Sequence, residues 1–334
     1  LQAKAGIVAE HMDPASASKH LGMLASEAPT IDLKLAAVRR AFQVWSAGRP
    51  VWEDEGEGAD TAIPADLREA MRSLVIDDTS IEDHREMMRL LASFDSDWVA
   101  QEENMSESPH VNSWAHRVYV ARAKHDPKIY IETLTSALKA EPEEDWLREE
   151  RDGFVAGLRS IVFEDISNIG PAAYAYAALD AGLPMEPFDE IALTCGAFYG
   201  ICQSLAAEEN EPSDEVYGKF VKAKGLMREL DEDRRQVVEP IVNAAGNSYA
   251  MCVGVSREAA LQEGAKFLGR VESQLVGVPL RRINWTAVRD GLRPLKEMCD
   301  QSVGALKRAQ REATDQDLVD ALTTILDQFQ TLSD

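Results

Sequence analysis

Six histidines and four cysteines are the side chains best suited to metal or nucleophilic chemistry, and the sequence keeps them apart. His11, His20, His84, His110, His116 and His125 fall in the first 125 residues, whereas Cys195, Cys202, Cys252 and Cys299 all lie beyond residue 190. A zinc site with mixed Cys and His ligands at short spacing is therefore absent locally. No two cysteines form a C-x-x-C pair, and each sits among apolar or small residues. That is the setting of a buried, hydrophobic thiol in a reducing compartment.

The remaining constellations are equally thin. His125-Asp126 offers the two donor types found in metal-dependent HD phosphohydrolases, with His110 or His116 and a distant Asp as further ligands. Pro127, however, places the dyad at a helix start, where Asp126 is already accounted for as an N-cap. A di-iron bundle needs two Glu-x-x-His motifs. Only Glu107-Ser-Pro-His110 has that spacing, and it contains a proline. Asp95-Ser-Asp97 and Asp231-Glu-Asp233 begin like calcium loops but lack the later glycine and acid. Asp77-Asp78 and Asp189-Glu190 lack the second acid, at helical spacing, of a magnesium-diphosphate motif. No phosphate-cradling glycine loop, Gly-x-Ser-x-Gly elbow or dinucleotide fingerprint occurs. The sequence gives no catalytic, cofactor-binding or metal residue to assign, which leans the reading away from an enzyme without deciding it, with no cofactor expected.

Charge is more informative. The 334 residues carry 35 Lys and Arg against 58 Asp and Glu, a net charge of -23. Such a chain repels nucleic-acid phosphates and anionic membrane surfaces, and it favours solubility, cations and basic partners. Residues 266–312 depart from this background with ten basic and five acidic side chains, a local +5, which leaves -28 for the rest. Arg289, Arg293 and Lys296 follow helical spacing, and Arg281 and Arg282 stand just before them. The functional reading is a docking surface for an acidic partner or a phosphate-bearing ligand. The plainer reading, preferred on sequence alone, is that the stripe pairs with the chain's own acidic segments, because mixed charges border many helix interfaces. Trp52 and Trp98 lie in acidic, loop-like stretches and are expected to anchor those loops to the core.

These residues must be positioned by helices, because apolar positions recur every three to four residues almost throughout. Ile31, Leu35, Val38, Phe42 and Trp45 form one face of a helix over about 30–47. Thr79 with Glu82 is a capping-box pattern opening the helix that holds Met87, Met88 and Leu91. Asp126-Pro127, Pro142 with its following acids, and Ser213 each signal further helix starts. Residues 192–206 are nearly free of charge and rich in small residues, which predicts the most buried helix. A second small-residue run, 243–254, is its expected packing partner, with Gly246 and Gly254 weakening the expectation of a continuous helix there. Two stripes close the chain. Trp285, Val288, Leu292, Leu295, Cys299 and Leu306 form one, and Leu318, Leu322, Ile325, Phe329 and Leu332 the other. Their spacing predicts an antiparallel hairpin, with Pro294 kinking its first helix.

Strand signals are nearly absent, so the expected fold class is all-α: a multi-helix bundle or irregular α-solenoid ending in that hairpin. Acidic breaks suggest three regions. These are 1–108, 109–210 with its Gly/Ala-rich buried helices, and 211–334. No repeat register of tetratricopeptide or ankyrin type emerges. Residues 1–13 lack the regions of a signal peptide, and no run of about 18 apolar residues exists, which points to a cytoplasmic chain. The functional expectation is a non-enzymatic scaffold, adaptor or assembly subunit whose partner is another protein. The alternative is a helical enzyme or small-ligand regulatory module with its pocket in the Gly/Ala-rich core, lined by Tyr174, Tyr176, Tyr199 and Asn247.

Overall fold

A computed structural model describes residues 14–47, 63–166 and 169–333. Trp52 lies outside these residues, as does most of the acidic loop at 51–64. The described residues form 14 α-helices and no strand. The chain divides into two compact units, 1–147 and 148–334. The regions expected from the sequence end at 108 and 210. Both ends are stitched into their surroundings: Ser108 Oγ donates to the buried Val75 carbonyl at 2.8 Å, and Asn210 O accepts from Cys252 Sγ at 3.0 Å.

The first unit holds α1 (Pro14–Ser26), α2 (Ile31–Ala47), α3 (Ala65–Ile76), α4 (Ile81–Phe94), the short α5 (Ser96–Ala100), α6 (Trp114–Ala123) and α7 (Pro127–Ala140). The apolar stripe of α2 packs as its spacing requires, with Leu35, Val38, Ala41 and Trp45 buried beside Met71, Met87, Met88 and Met105. Burying each such side chain contributes roughly 1.5–3 kcal/mol. One cap shifts by a residue: Ser80, not Thr79, receives the Asp83 amide at 3.2 Å. Thr79 is instead buried, its hydroxyl donating to the Leu74 carbonyl. Asp126 is the N-cap expected of it, accepting from the Lys128 amide at 3.0 Å and the Ile129 amide at 3.3 Å. The stretch from 95 to 108 is not an open loop. Val99 and Met105 are buried, and Trp98 packs against the core beneath the Arg72 guanidinium, 5.3 Å from its ring. Asp95 holds that guanidinium at 2.6 and 3.0 Å.

The division between units falls inside α8 (Asp145–Glu164), whose first turn begins three residues after Pro142. The second unit continues with α9 (Ile169–Ala181), α10 (Pro187–Ala207), α11 (Asp214–Leu226), α12 (Glu232–Leu275), α13 (Trp285–Glu312) and α14 (Gln316–Ser333). Ile191 to Phe198 of α10 are all buried, which meets the expectation drawn from their lack of charge. Helix α12 runs unbroken for 44 residues through Pro240, Gly246 and Gly254, about 66 Å at an α-helical rise. The small residues lowered its helical propensity for a reason: at Gly246 a Cβ would stand 2.5 Å from the Glu312 carbonyl oxygen. Only glycine lets the two backbones approach that closely. Gln203 Nε2 donates to Ser248 Oγ at 3.1 Å, joining α10 to α12. An aromatic cluster fills the space beside them, Phe198 stacked on Phe220 at 4.5 Å and Tyr217 on Tyr249 at 4.7 Å.

Candidate functional site

Two places break the usual sorting of polar groups to water and apolar groups to the interior. The first is built from the amphipathic stripe of α13 and the end of α12. From Ala265 to Pro294 no residue is buried. Gly277, at φ 78°, ends α12 in the left-handed conformation that glycine adopts without strain, and Pro279 follows. The chain then passes through a turn at Leu280–Arg282 and re-enters α13, whose N-cap Asn284 accepts from the Ala287 amide at 3.2 Å. The result is a helical arm. Its tip carries Val276, Leu280 and Trp285, which are 79%, 73% and 57% exposed.

Along the arm a groove of 690 Å³ is lined by Leu268, Trp285, Val288, Leu292, Leu295 and Leu332, with Arg289, Asp290, Arg293 and Lys296 on its rim. The sequence stripe is therefore half-used. Leu295, Cys299 and Leu306 are buried against α12 and α14, as are Leu322 and Phe329 on the partner stripe. Trp285, Val288 and Leu292, on the same face, are not. Leu295 and Leu332 both line the groove, and Gln310 Nε2 donates to Thr323 Oγ1 at 2.9 Å, linking α13 to α14.

Among the described residues the five cations named from the sequence do not lean on distant acidic segments. Among the described residues Arg293 and Arg289 reach only Asp290 on their own helix, at 2.9 and 3.9 Å. Among the described residues Arg281, Arg282 and Lys296 form no ion pair, and all five cations are exposed. The acidic segments have other partners: Glu211 binds Arg257 at 2.6 Å and Glu312 binds Lys224 at 2.8 Å.

Of the four residues expected to line a pocket in the Gly/Ala-rich region, three have described side chains. Asn247 Oδ1 accepts from the Thr314 amide at 2.7 Å and the Asp315 amide at 3.2 Å, fastening the turn between α13 and α14. Tyr174 is 43% exposed, the side chain of Tyr176 lies outside the described residues, and the Tyr199 carbonyl accepts from Ser248 Oγ at 3.3 Å. Tyr174, Tyr199 and Asn247 do not line the groove on the arm. The cysteines behave as buried hydrophobes. Burial pushes the Cys195 thiol up to about 12, and the hydrogen bond with Cys252, together with burial, raises Cys202 further, so neither is a thiolate at neutral pH.

The chain matches no family model, no curated protein and no solved structure.

The second place is in the first unit and was not foreseen. His84, His110 and His116 come together, His84 stacked on His116 with ring centroids 5.6 Å apart and His110 tilted against it at 4.9 Å. His84 is fully buried, and neither of its ring nitrogens has a partner at hydrogen-bond geometry, although the Val75 carbonyl is near enough to favour its charged form slightly. Burial, reinforced by the neighbouring imidazoles, lowers His84 from 6.5 to about 3, and burial lowers His116 as well. His110 Nε2 is satisfied by the Thr79 carbonyl at 2.7 Å. Among the described residues no group of three or more His, Cys, Asp or Glu is placed to hold a metal ion. One signal for the stack was legible: His84 precedes Met87, Met88 and Leu91 by three, four and seven positions, which puts it on their buried face. The approach of His116 from α6 had none.

Beside the stack a cleft of 560 Å³ opens between α6 and α7. His116 lines it with Glu102, Trp114, Arg117, Lys124 and Glu132.

Proposed function

We propose that this chain is a non-enzymatic scaffold or assembly subunit that engages an acidic protein partner through the arm of α12 and α13. One observation carries the reading: Val276, Leu280 and Trp285 stand uncovered at the end of an apolar groove rimmed by cations, in a chain that is otherwise strongly acidic. Leaving apolar surface in water forgoes about 25 cal/mol per Å². A contiguous patch of this kind with a charged rim marks an interaction surface.

The chemistry of the occupant follows from the lining. The groove suits an amphipathic helix that lays apolar residues, three and four apart, against Val288, Leu292 and Leu295. Acidic residues flanking that face would meet Arg289, Arg293 and Lys296. Such charges steer encounter and reject basic competitors more than they deepen affinity. Tryptophan and arginine are the residue types that most often dominate binding energy, so Trp285 and its neighbouring arginines are the expected anchors. The alternative of an enzyme or ligand module in the Gly/Ala-rich region has less support, since Gly246 and Asn247 there serve helix packing and turn fastening.

The test is native mass spectrometry of the tagged chain recovered from its own cells, as wild type and as the double variant Leu280→Ser, Trp285→Ala. The expected result is a stoichiometric acidic protein on the wild type, released by the double variant and by raising salt. A wild type that carries no partner would overturn the reading, as would a partner retained by the variant. A mass of two copies that the variant abolishes would assign the arm to self-association and overturn the acidic partner.

A further inference from the structure

The three imidazoles of the first unit come from three different pieces of chain. His84 is on α4, His116 is on α6, and His110 lies in the turns of residues 106–113 that follow the single 3-10 turn Glu102–Met105. These turns have no α-helix of their own. Their backbone hydrogen bonds are short-range, Ser108 N to the Met105 carbonyl and Ser113 N to the His110 carbonyl, each at 2.9 Å. Two side-chain tethers hold them to the rest of the unit. Ser108 Oγ donates to the Val75 carbonyl at 2.8 Å, and His110 Nε2 donates to the Thr79 carbonyl at 2.7 Å. Met105 and Ser108 are buried, and Met105 belongs to the same apolar cluster as Met87 and Met88 of α4. A short irregular piece thus covers part of a helical core with few bonds to it, the mark of an element that opens before the whole unit does.

What it covers does not tolerate charge. His84 is fully buried, and neither ring nitrogen has a partner at hydrogen-bond geometry. The groups that act on it are the His116 imidazole from α6, the His110 imidazole from the turns and, from α3, the Val75 carbonyl already engaged by Ser108. The neighbouring carboxylates are paired elsewhere: Asp77 with Lys34, Asp83 and Glu86 of α4 with Arg39, and Glu102 with Lys124. Glu102 acts on His116, where Arg117 and His110 oppose it. On α4 itself, Arg85 lies over the Trp146 ring. A proton on His84 therefore meets two more imidazoles and no offsetting carboxylate, which disfavours its charged form. Once the turns lift, water reaches the ring and its ordinary basicity returns. Protons then bind the lifted form better than the seated one and draw the population toward it.

We propose that the three imidazoles form an acid-released latch. At neutral pH the uncharged cluster keeps residues 105–113 seated on α4. In acid His84 takes up a proton, the turns lift, and the methionine face beneath Met105 is bared. The first unit thereby gains an apolar surface that is offered only at low pH.

The experiment is residue-resolved amide hydrogen exchange of the full chain at pH 7 and pH 5, corrected for the chemical exchange rate at each pH, on the wild type, His84→Leu and His84→Gln. In the wild type the Ser108 and Ser113 amides should exchange at least about tenfold faster than the slowest amides of α1–α4, with little dependence on urea, the signs of local opening. Seating moves His84 from 6.5 to about 3, so the opening should rise about 25-fold from pH 7 to pH 5. Both variants are neutral at either pH and should lose that rise; the second is there in case the first fails to fold. Turns whose protection is the same at both pH values overturn the proposal, because they then open without freeing His84. Turns that exchange only as slowly as the core overturn it too, since nothing then lifts separately. So does a wild-type rise that persists in the variants.

Discussion

The imidazole stack of the first unit and the arm of the second depart from ordinary packing in opposite directions. One hides polar nitrogens where they find no partner; the other shows water apolar side chains that found no cover. The departures differ in what they touch. His84, at the centre of the stack, is fully buried, so its cost falls on the stability of that unit and depends on protonation. The arm stands off the core, so removing its apolar residues should leave folding alone and strike only association. A hidden polar group is thus tested by stability, a bare apolar one by binding.

The sharpest check that the arm is rooted in a rigid unit is Gly246→Val. A side chain there meets the Glu312 carbonyl oxygen, at 2.5 Å from the first carbon. The α12–α13 contact must open, at a cost of about 3 kcal/mol, read as a lower urea midpoint. If stability is unchanged, the two helices are not tightly joined and the contrast with the bare tip dissolves.

Next in size is the pH response of the stack. The folded state holds His84 neutral, with its pKa moved from 6.5 to about 3. The folded form binds fewer protons than the unfolded one, so stability is full above 6.5, falls as pH drops below it, and stops falling only below about 3. From pH 7 to pH 5 this amounts to about 2 kcal/mol. Urea denaturation of the wild type and His84→Leu at pH 7 and pH 5 should show that share of acid sensitivity in the wild type and its loss in the variant. At pH 7 the variant should be no less stable, because it removes two unpaired nitrogens. Equal acid sensitivity in both proteins would mean that the imidazole is not the source.

Asn247→Ala should cost about 1 kcal/mol, because the Thr314 and Asp315 amides lose their acceptor but can turn to water. Thermal unfolding measures it, and faster amide exchange at the α13–α14 turn locates it. Last and smallest is the arm itself: Leu280→Ser with Trp285→Ala should move stability by no more than about 0.5 kcal/mol. A large loss would show the tip to be part of the core.

Helix content was legible because burying one face of a helix imposes a repeat of three to four on the sequence, as in Leu35, Val38 and Trp45. Caps were legible where a side chain and a proline coincide, as at Asp126-Pro127. At Thr79-Ser80 either hydroxyl could serve, and the burial of Thr79 decided for Ser80. The apolar stripe from Trp285 to Leu306 and its basic flank were also written in the sequence. What periodicity cannot encode is how far along a stripe the covering helices extend, so the buried half from Leu295 onward and the bare half before it look alike in one dimension. The same limit explains the pocket expectation. Small residues at 243–254 announce close approach but do not say whether a ligand or a backbone comes near, and at Gly246 it is the Glu312 carbonyl. The meeting of His84 with His110 and His116 depends on the packing of α4 against α6. Helical spacing governs neighbours on one helix, whereas contacts between helices are settled only when side chains from distant parts of the chain compete for the same volume.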